Sequence, residues 1–284
     1  MRRFNMLEPR SIQDACEILS ADEEVKLISG GTALLILIKH GILLPKTLVN
    51  LKKIKGAAEI TYEPASGLRV GGLASIFDVE SAPAVRQHYP LLAQACHVVA
   101  NIRIRNMATI GGNLAHADSQ SDPPAALVAF DASVELTTRD RVRTVKLRDF
   151  LIGSYETGLE RDEILTALLV PPAPANVKST YVKFTTRSSE DRPCAGVAAW
   201  VRHSNGKPAE ARVVVGAVSP APVVLSDQGL GSGQKSTADA IAEIARNAAA
   251  AVNPIDDLRG PADYKRQLVQ VLVRRALTEC AEEI

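Results

Sequence analysis

The chain of 284 residues is poor in aromatics: Phe, Trp and Tyr make up 4%. Stacking platforms for nucleic-acid bases need exposed rings and are not expected here. Charge of either sign is also not in excess. Lys plus Arg number 33 and Asp plus Glu 32, a formal net charge of +1. Nucleic-acid binders carry a basic surplus on the binding domain, so no nucleic-acid partner is expected. Cysteine is sparse and scattered, at Cys16, Cys96, Cys194 and Cys280. There is no C-x-x-C pair and no His at ligand spacing from a Cys, which argues against a zinc ribbon or an iron–sulfur cluster held by this chain alone. Long apolar runs are missing too. The most apolar stretch, Leu34 to Leu44, is broken by Lys39, His40 and Gly41 and falls short of the ~20 residues of a membrane span. Behind the basic Met1-Arg2-Arg3, the residues Asn5, Glu8, Pro9 and Arg10 leave no apolar signal core. The expectation is a cytoplasmic protein with no transmembrane segment.

What is present is 46% hydrophobic and 23% charged residues, the balance of a soluble globular chain. Its length suggests two domains. Ser11 to Asp14 has the form of a capping box, and Ile12, Ala15, Cys16 and Leu19 then share one helical face. Val25 to Ile28 reads as a strand, Ser29-Gly30-Gly31-Thr32 as a turn, Ala33 to Lys39 as a helix stopped at Gly41, and Thr47 to Leu51 as a strand. Leu68 to Val70 is a further strand ended by Gly71-Gly72. Ser75 with Asp78 caps a helix, and Pro90 opens another. Asn101 to Pro124 reads as irregular, Ala125 to Phe130 as a short helix, and Val134 to Thr138 as a strand.

Pro171, Pro172 and Pro174 form a composition break that marks a domain boundary. Beyond it the pattern changes. Thr180 to Arg187, Val197 to His203 and Arg212 to Val218 read as three strands, with Asn205-Gly206 as a hairpin turn. Gly229 to Gly233 reads as a mobile loop, and Thr237 to Val252 and Asp263 to Leu277 as helices. Strands followed by helices predict an α+β unit with helices on one side of its sheet.

Two glycine pairs stand out: Gly30-Gly31 before Thr32, and Gly111-Gly112 before Asn113. Glycines in succession permit φ > 0 and let backbone N–H groups converge on a phosphate. Each pair alone reads first as a tight turn; both together, with nothing structural demanding both, strengthen the case for a ligand. There is no G-x-x-x-x-G-K-[ST] and no G-x-G-x-x-G, and the strand after the first pair ends in Asn50-Leu51-Lys52 without a ribose-binding acid. A P-loop and a classical dinucleotide fold are therefore excluded.

The segments Ile28 to Leu34 and Ile104 to Asn113, with Tyr181 to Arg187, Asp191 and the Asp263 to Leu277 end, resemble the FAD-binding medium subunit of the molybdenum hydroxylases. That family includes xanthine dehydrogenase and aerobic carbon monoxide dehydrogenase. The resemblance runs in order along essentially the whole chain. It implies an α+β protein. A vanillyl-alcohol-oxidase (PCMH-type) FAD-binding domain would span 1–173 in two α/β subdomains, roughly 1–55 and 56–173. A small three-stranded antiparallel sheet with helices would follow over 176–284. It also implies an electron-transfer subunit that holds FAD. The molybdopterin cofactor would lie on a large partner subunit and two [2Fe–2S] clusters on a small one, the whole a dimer of heterotrimers. The alternative is a self-sufficient flavin-dependent oxidase of the same fold.

The resemblance also implies residue roles. Ile28, Ser29, Gly30, Gly31, Thr32, Ala33 and Leu34 match the segment whose backbone N–H groups hold the pyrophosphate. Ala108, Thr109, Gly111, Gly112 and Asn113 match the second segment, which bonds phosphate or ribityl oxygens. Ala100 matches a residue behind the flavin, and Asp122 a carboxylate that accepts bonds from hydroxyls or N–H groups. Leu165 matches a residue against the isoalloxazine or adenine. Lys183 matches a cation near the ring that would favour the anionic reduced flavin. His116 is a phosphate ligand or an exposed loop residue. Arg103 and Arg105 bind phosphate, or form a solvated rim or a partner contact. Tyr155 covers the flavin or sits in the core, and Arg187 with Asp191 reads as an ion pair. No residue of this chain is assigned to substrate chemistry or to a metal.

Overall fold

A computed structural model of the chain describes residues 3–230 and 236–282. Gly231 to Gly233 of the expected loop lie outside the described residues, and Gly229 ends a strand.

The N-terminal alternation forms as its pattern predicts. The Ser11 hydroxyl accepts the Asp14 amide at 3.1 Å and caps the helix Ile12–Ala21, satisfying a donor that a helix start leaves free. Ala15, Cys16 and Leu19 on its inner face pack with Val25, Val49 and Leu51. Val25–Ile28 and Thr47–Asn50 pair in parallel, and Asn5–Leu7 adds a third parallel strand beyond Thr47–Asn50. That third strand leaves no trace in the sequence pattern, because its three residues are all exposed and show no alternation. Gly41, at φ +71, ends the helix Leu34–Lys39 in a conformation that an L side chain resists.

Residues beyond 59 build an antiparallel five-stranded sheet. Its order is Ile60–Glu63, Gly67–Gly71, Ile164–Val170, Ser133–Thr137, Val142–Lys146. Leu68, Val70, Val134, Leu136 and Leu168 on its inner face meet Ile76, Leu91, Leu92 and Leu127 of the helices, all buried. Each such side chain contributes roughly 1.5–3 kcal/mol by leaving water. The capping box at Ser75 and Asp78 is present in both directions, at 2.9 and 3.2 Å.

Asn101 to Pro124 is not irregular. It carries the helices Ile102–Met107 and Ile110–His116 and the start of Pro123–Ala129. Six- and seven-residue helices are too short to show a hydrophobic period. Their caps were the available signal: the Asn101 side chain accepts the Ile104 amide, and Thr109 accepts that of Gly112.

The C-terminal sheet has four strands, Val177–Phe184, Ala195–Ser204, Lys207–Gly216 and Val223–Gly229, antiparallel throughout. The three-stranded expectation misses the last of these, which follows the others at the sheet's edge. Asn205 and Gly206 both take positive φ, +52 and +76, as a two-residue hairpin turn requires. Nor are helices confined to one side of this sheet. Val197, Ala199, Val201, Val213 and Val215 face the helices Thr237–Ala251 and Ala262–Ala281. The alternate positions Tyr181, Ala198, Trp200 and Val214 join the core of the preceding domain, and the Trp200 indole donates to the Ala129 carbonyl at 2.9 Å. Pro90–His97 and Pro123–Ala129 thus cover the second face. Among the described residues no helix is long and apolar enough to cross a membrane.

Candidate cofactor-binding site

The Val25–Ile28 strand leaves its parallel sheet at Ser29 and turns into the helix Leu34–Lys39. Gly31 takes φ +72, and its carbonyl receives the Leu35 amide at 3.0 Å. Gly30 presses against the end of the helix Ile102–Met107. A Cβ on Gly30 would stand 2.3 Å from the Met107 carbonyl oxygen and 2.8 Å from the Ala108 Cα. Among the described residues, the amides of Gly30, Gly31, Thr32, Ala33 and Leu34 donate to no protein acceptor. Native backbones rarely leave half-buried donors unpaired in succession. Such a row of N–H groups around a left-handed glycine is a cradle for an anionic, oxygen-rich group.

Facing this wall is the first turn of Ile110–His116. The Thr109 hydroxyl accepts the Gly112 amide at 3.1 Å and shares a 2.8 Å hydrogen bond with the Ser29 hydroxyl, tying the two walls together. Here the backbone donors are already used. The Gly111 amide bonds the Gly72 carbonyl at 2.9 Å, and a Cβ on Gly111 would stand 2.6 Å from that same oxygen. Gly111 is glycine because two backbones meet there, and Gly30 because a third does. The expectation that nothing structural demands both pairs is therefore corrected.

Ile28 to Leu34, Ala108, Thr109, Gly111, Gly112, Asn113, His116 and Leu165 line one cavity of about 290 Å³, at the lower end of small-molecule clefts. Gly72, Leu73, Leu159, Glu163 and Ile164 are among the further residues of its wall. Sequence reasoning assigned none of these five to the site, nor Leu27, Leu37, Leu51 and Ala115, which also line it. Gly71-Gly72 was legible as the end of a strand, but the approach of Gly72 to Gly111 is not a local property. Glu163 is fixed by Arg143, at 2.6 and 2.7 Å, which holds its carboxyl below the usual range. The Asn113 side chain accepts the Ser121 hydroxyl at 2.9 Å. His116 is half-buried, and burial lowers its pKa. It is therefore part of the cavity wall. Tyr155 is no core residue. It is 62% exposed at φ +61, with its ring 5.1 Å from that of His116.

Ala100, Asp122 and Lys183 lie outside that cavity and form a second group, at the junction with the C-terminal sheet. The Lys183 ammonium donates to the Asp122 carboxylate at 3.0 Å and to the Val98 carbonyl at 2.7 Å. The Tyr181 hydroxyl donates to the other Asp122 oxygen at 2.9 Å. Asp122 is only 4% exposed. Burial pushes its pKa up to about 6, against the pull of Lys183 and Tyr181. Burial and the neighbouring carboxylate raise Tyr181 well above its ordinary value. Ala100 takes φ +41, uncommon outside glycine.

Of the flanking arginines, Arg103 is exposed. Arg105 is buried against Glu80 at 2.8 Å, so neither a phosphate ligand nor a solvated rim describes it. Arg187 and Asp191 pair at 3.3 Å on the surface, as their spacing suggests. All four cysteines are buried and unpaired. Among the described residues no cluster of His, Cys, Asp or Glu could hold a metal ion.

Residues 2–173 match the FAD binding domain in molybdopterin dehydrogenase, and residues 180–280 the CO dehydrogenase flavoprotein C-terminal domain. The nicotine 6-hydroxylase medium subunit of Paenarthrobacter nicotinovorans is 32% identical, over 95% of this chain and 95% of its own length. The carbon monoxide dehydrogenase medium chain of Hydrogenophaga pseudoflava is 33% identical, over 97% and 96%. Among solved structures, carbon monoxide dehydrogenase from Hydrogenophaga pseudoflava superposes with a TM-score of 0.92 at 31% identity, covering 98% of this chain and 97% of that one. Quinoline 2-oxidoreductase from Pseudomonas putida 86 gives 0.92 at 27%, covering 99% and 98%.

Proposed function

The chain belongs to the family of the FAD binding domain in molybdopterin dehydrogenase, and on that premise we propose that it is the FAD-binding electron-transfer subunit of a molybdenum hydroxylase complex. The observation that carries the reading is the row of free amides from Gly30 to Leu34 beside the left-handed Gly31. These donors fit a pyrophosphate: they supply hydrogen bonds to its oxygens without a lysine or a metal. The Thr109 and Ser29 hydroxyls, Asn113 and His116 would meet the polar parts of FAD, and Leu165 the apolar rings. Ala100, Asp122 and Lys183 are assigned to the ring end of the site. They are supported by being one connected group, since Lys183 bonds the carbonyl two residues before Ala100.

Bound FAD would supply two-electron redox chemistry that a protein side chain lacks. The chain's part is to hold the cofactor, exclude water from it and present it between an electron donor and an external acceptor. The relatives named above are medium subunits or chains, matched along almost their whole length. That favours the subunit reading over a self-sufficient oxidase. The molybdopterin cofactor and two [2Fe–2S] clusters are accordingly assigned to a large and a small partner subunit. The assembly is a dimer of heterotrimers in the cytoplasm.

Purified full chain incubated with FAD should take up one flavin and show no substrate turnover by itself. Substrate should reduce that flavin only once both the molybdopterin and the iron–sulfur partners are added. A chain that takes up no FAD would sink the reading, and turnover by the chain alone would favour the oxidase.

A further inference from the structure

The buried Glu80–Arg105 pair belongs to neither group of site residues, yet it lies between them. Arg105 sits on the six-residue helix Ile102–Met107, which exposes Ile102, Arg103, Asn106 and Met107 on its outer side. Its inner hold on the protein is therefore Arg105 and the half-buried Ile104. The Arg105 Nε donates to Glu80 Oε2 at 2.8 Å, and its Nη1 donates to the Val99 carbonyl at 3.2 Å and the Ala100 carbonyl at 3.5 Å. The other Glu80 oxygen meets His97 Nδ1 at 2.7 Å. The carbonyl just before these, of Val98, is held by Lys183. Three consecutive carbonyls are thus turned toward buried cations. Ala100 is in the left-handed region, and among the described residues the amides of Ala100 and Asn101 donate to no protein acceptor. A left-handed residue with its carbonyl drawn inward presents successive N–H groups on the other side. At the far end of the same helix, the Met107 carbonyl and Ala108 are the surface against which Gly30 is pressed.

We propose that Arg105, backed by Glu80, is a positioning residue for the cofactor site: it seats the Ile102–Met107 helix and so sets at once the free amides of Ala100 and Asn101 and the floor of the Gly30 cradle. The inference rests on the FAD reading. Its geometric half concerns this chain alone. The two functions of Arg105 can be separated, because a lysine retains the charge beside Glu80 but cannot also reach the Val99 and Ala100 carbonyls with a second nitrogen.

The test uses the full chain carrying Arg105→Lys, together with the double variant Glu80→Gln/Arg105→Met, which removes the pair without leaving a buried charge alone. Two quantities are read: the FAD dissociation constant with the shape of the bound-flavin visible band, and, without flavin, hydrogen exchange at the Ile104 and Ala108 amides, which the seated helix bonds to the Asn101 side chain and the Ile104 carbonyl. The expected result is about tenfold weaker FAD binding by Arg105→Lys, equivalent to roughly 1.4 kcal/mol. A changed flavin band, faster exchange at the two amides and a near-parental melting temperature should accompany it. Arg105→Lys binding FAD within twofold of the parent, with an unchanged band and unchanged exchange, would overturn the proposal, as Arg105 would then serve only as a buried counter-charge. If Arg105→Lys does not fold, the double variant is read by the same criteria. If the parent takes up no FAD, the function reading fails separately. Unchanged exchange in that case still overturns the positioning role, and faster exchange supports it.

Discussion

The two walls of the cavity are built from similar sequence and do opposite things with their backbone. In the Gly30–Leu34 wall the amides are free: Gly30 lies close against the Met107 backbone, and the left-handed Gly31 turns the donors outward. In the Thr109–Asn113 wall the amides of Gly111 and Gly112 are bonded to Gly72 and Thr109, and the glycines create a close approach. A glycine pair therefore reports only that backbone must come near something. Whether that something is a ligand or another strand depends on which donors remain. The group behind the second wall repeats the point, since Asp122 and Lys183 already satisfy each other.

The largest effect should come from Gly111→Val. The contrast says that it is a folding mutation, because its Cβ would stand 2.6 Å from the Gly72 oxygen and 2.9 Å from the Gly72 Cα. Forcing such a contact costs at least the 1–3 kcal/mol typical of overpacking (about 3 or more here, with rigid backbone on both sides). Thermal melting of the flavin-free protein should show the loss. A variant with parental melting that merely lacks FAD would break the comparison, placing Gly111 in the same role as the open wall.

Next is Lys183→Met. Removing one member of a buried pair costs about 3–5 kcal/mol. The sign of the pH dependence follows from Asp122. Its folded pKa, about 6, lies above its ordinary value of 3.8. A carboxyl raised on folding favours the native state when protonated. That contribution is complete below the unfolded pKa and is lost as pH rises through the folded one. Asp122 should therefore cost the parent stability as pH rises from about 4 to 6. Without the ammonium the loss should continue to higher pH, so that acidification partly rescues the variant. Urea unfolding at a series of pH values measures this. A deficit independent of pH would show that Lys183 acts through packing, and not through Asp122.

Thr109→Val should be the mildest. It removes the cap on the Gly112 amide and the tie to Ser29, a loss of about 1 kcal/mol. It also frees an amide on the closed wall. Stability should drop slightly in chemical denaturation while the fold persists. An unchanged denaturation midpoint would mean that the hydroxyl tie between the walls is not formed in solution.

Much of the fold was open to sequence reasoning because it rests on local signals. The Ser11 and Ser75 caps, the Asn205-Gly206 turn and the apolar runs of the C-terminal strands each act within a few residues. The fourth strand of the C-terminal sheet and Asn5–Leu7 were not legible, because neither position carries an apolar alternation that marks one buried face. The Gly30-Gly31 turn between a strand and a helix was legible. The Gly72–Gly111 contact was not, since it joins positions 39 apart in the chain.

The sequence by itself determined the type of this protein: ordered motifs, periodic faces and glycine placement are properties of neighbouring residues, and they survive without knowledge of the fold. Tertiary structure alone decided which polar groups remain available to a ligand. Arg105 and Lys183 look alike as candidate cofactor contacts in the sequence. Packing places Glu80 against one and Asp122 against the other. A buried charge takes whichever partner the fold brings within hydrogen-bond distance, and that distance is not written in local spacing.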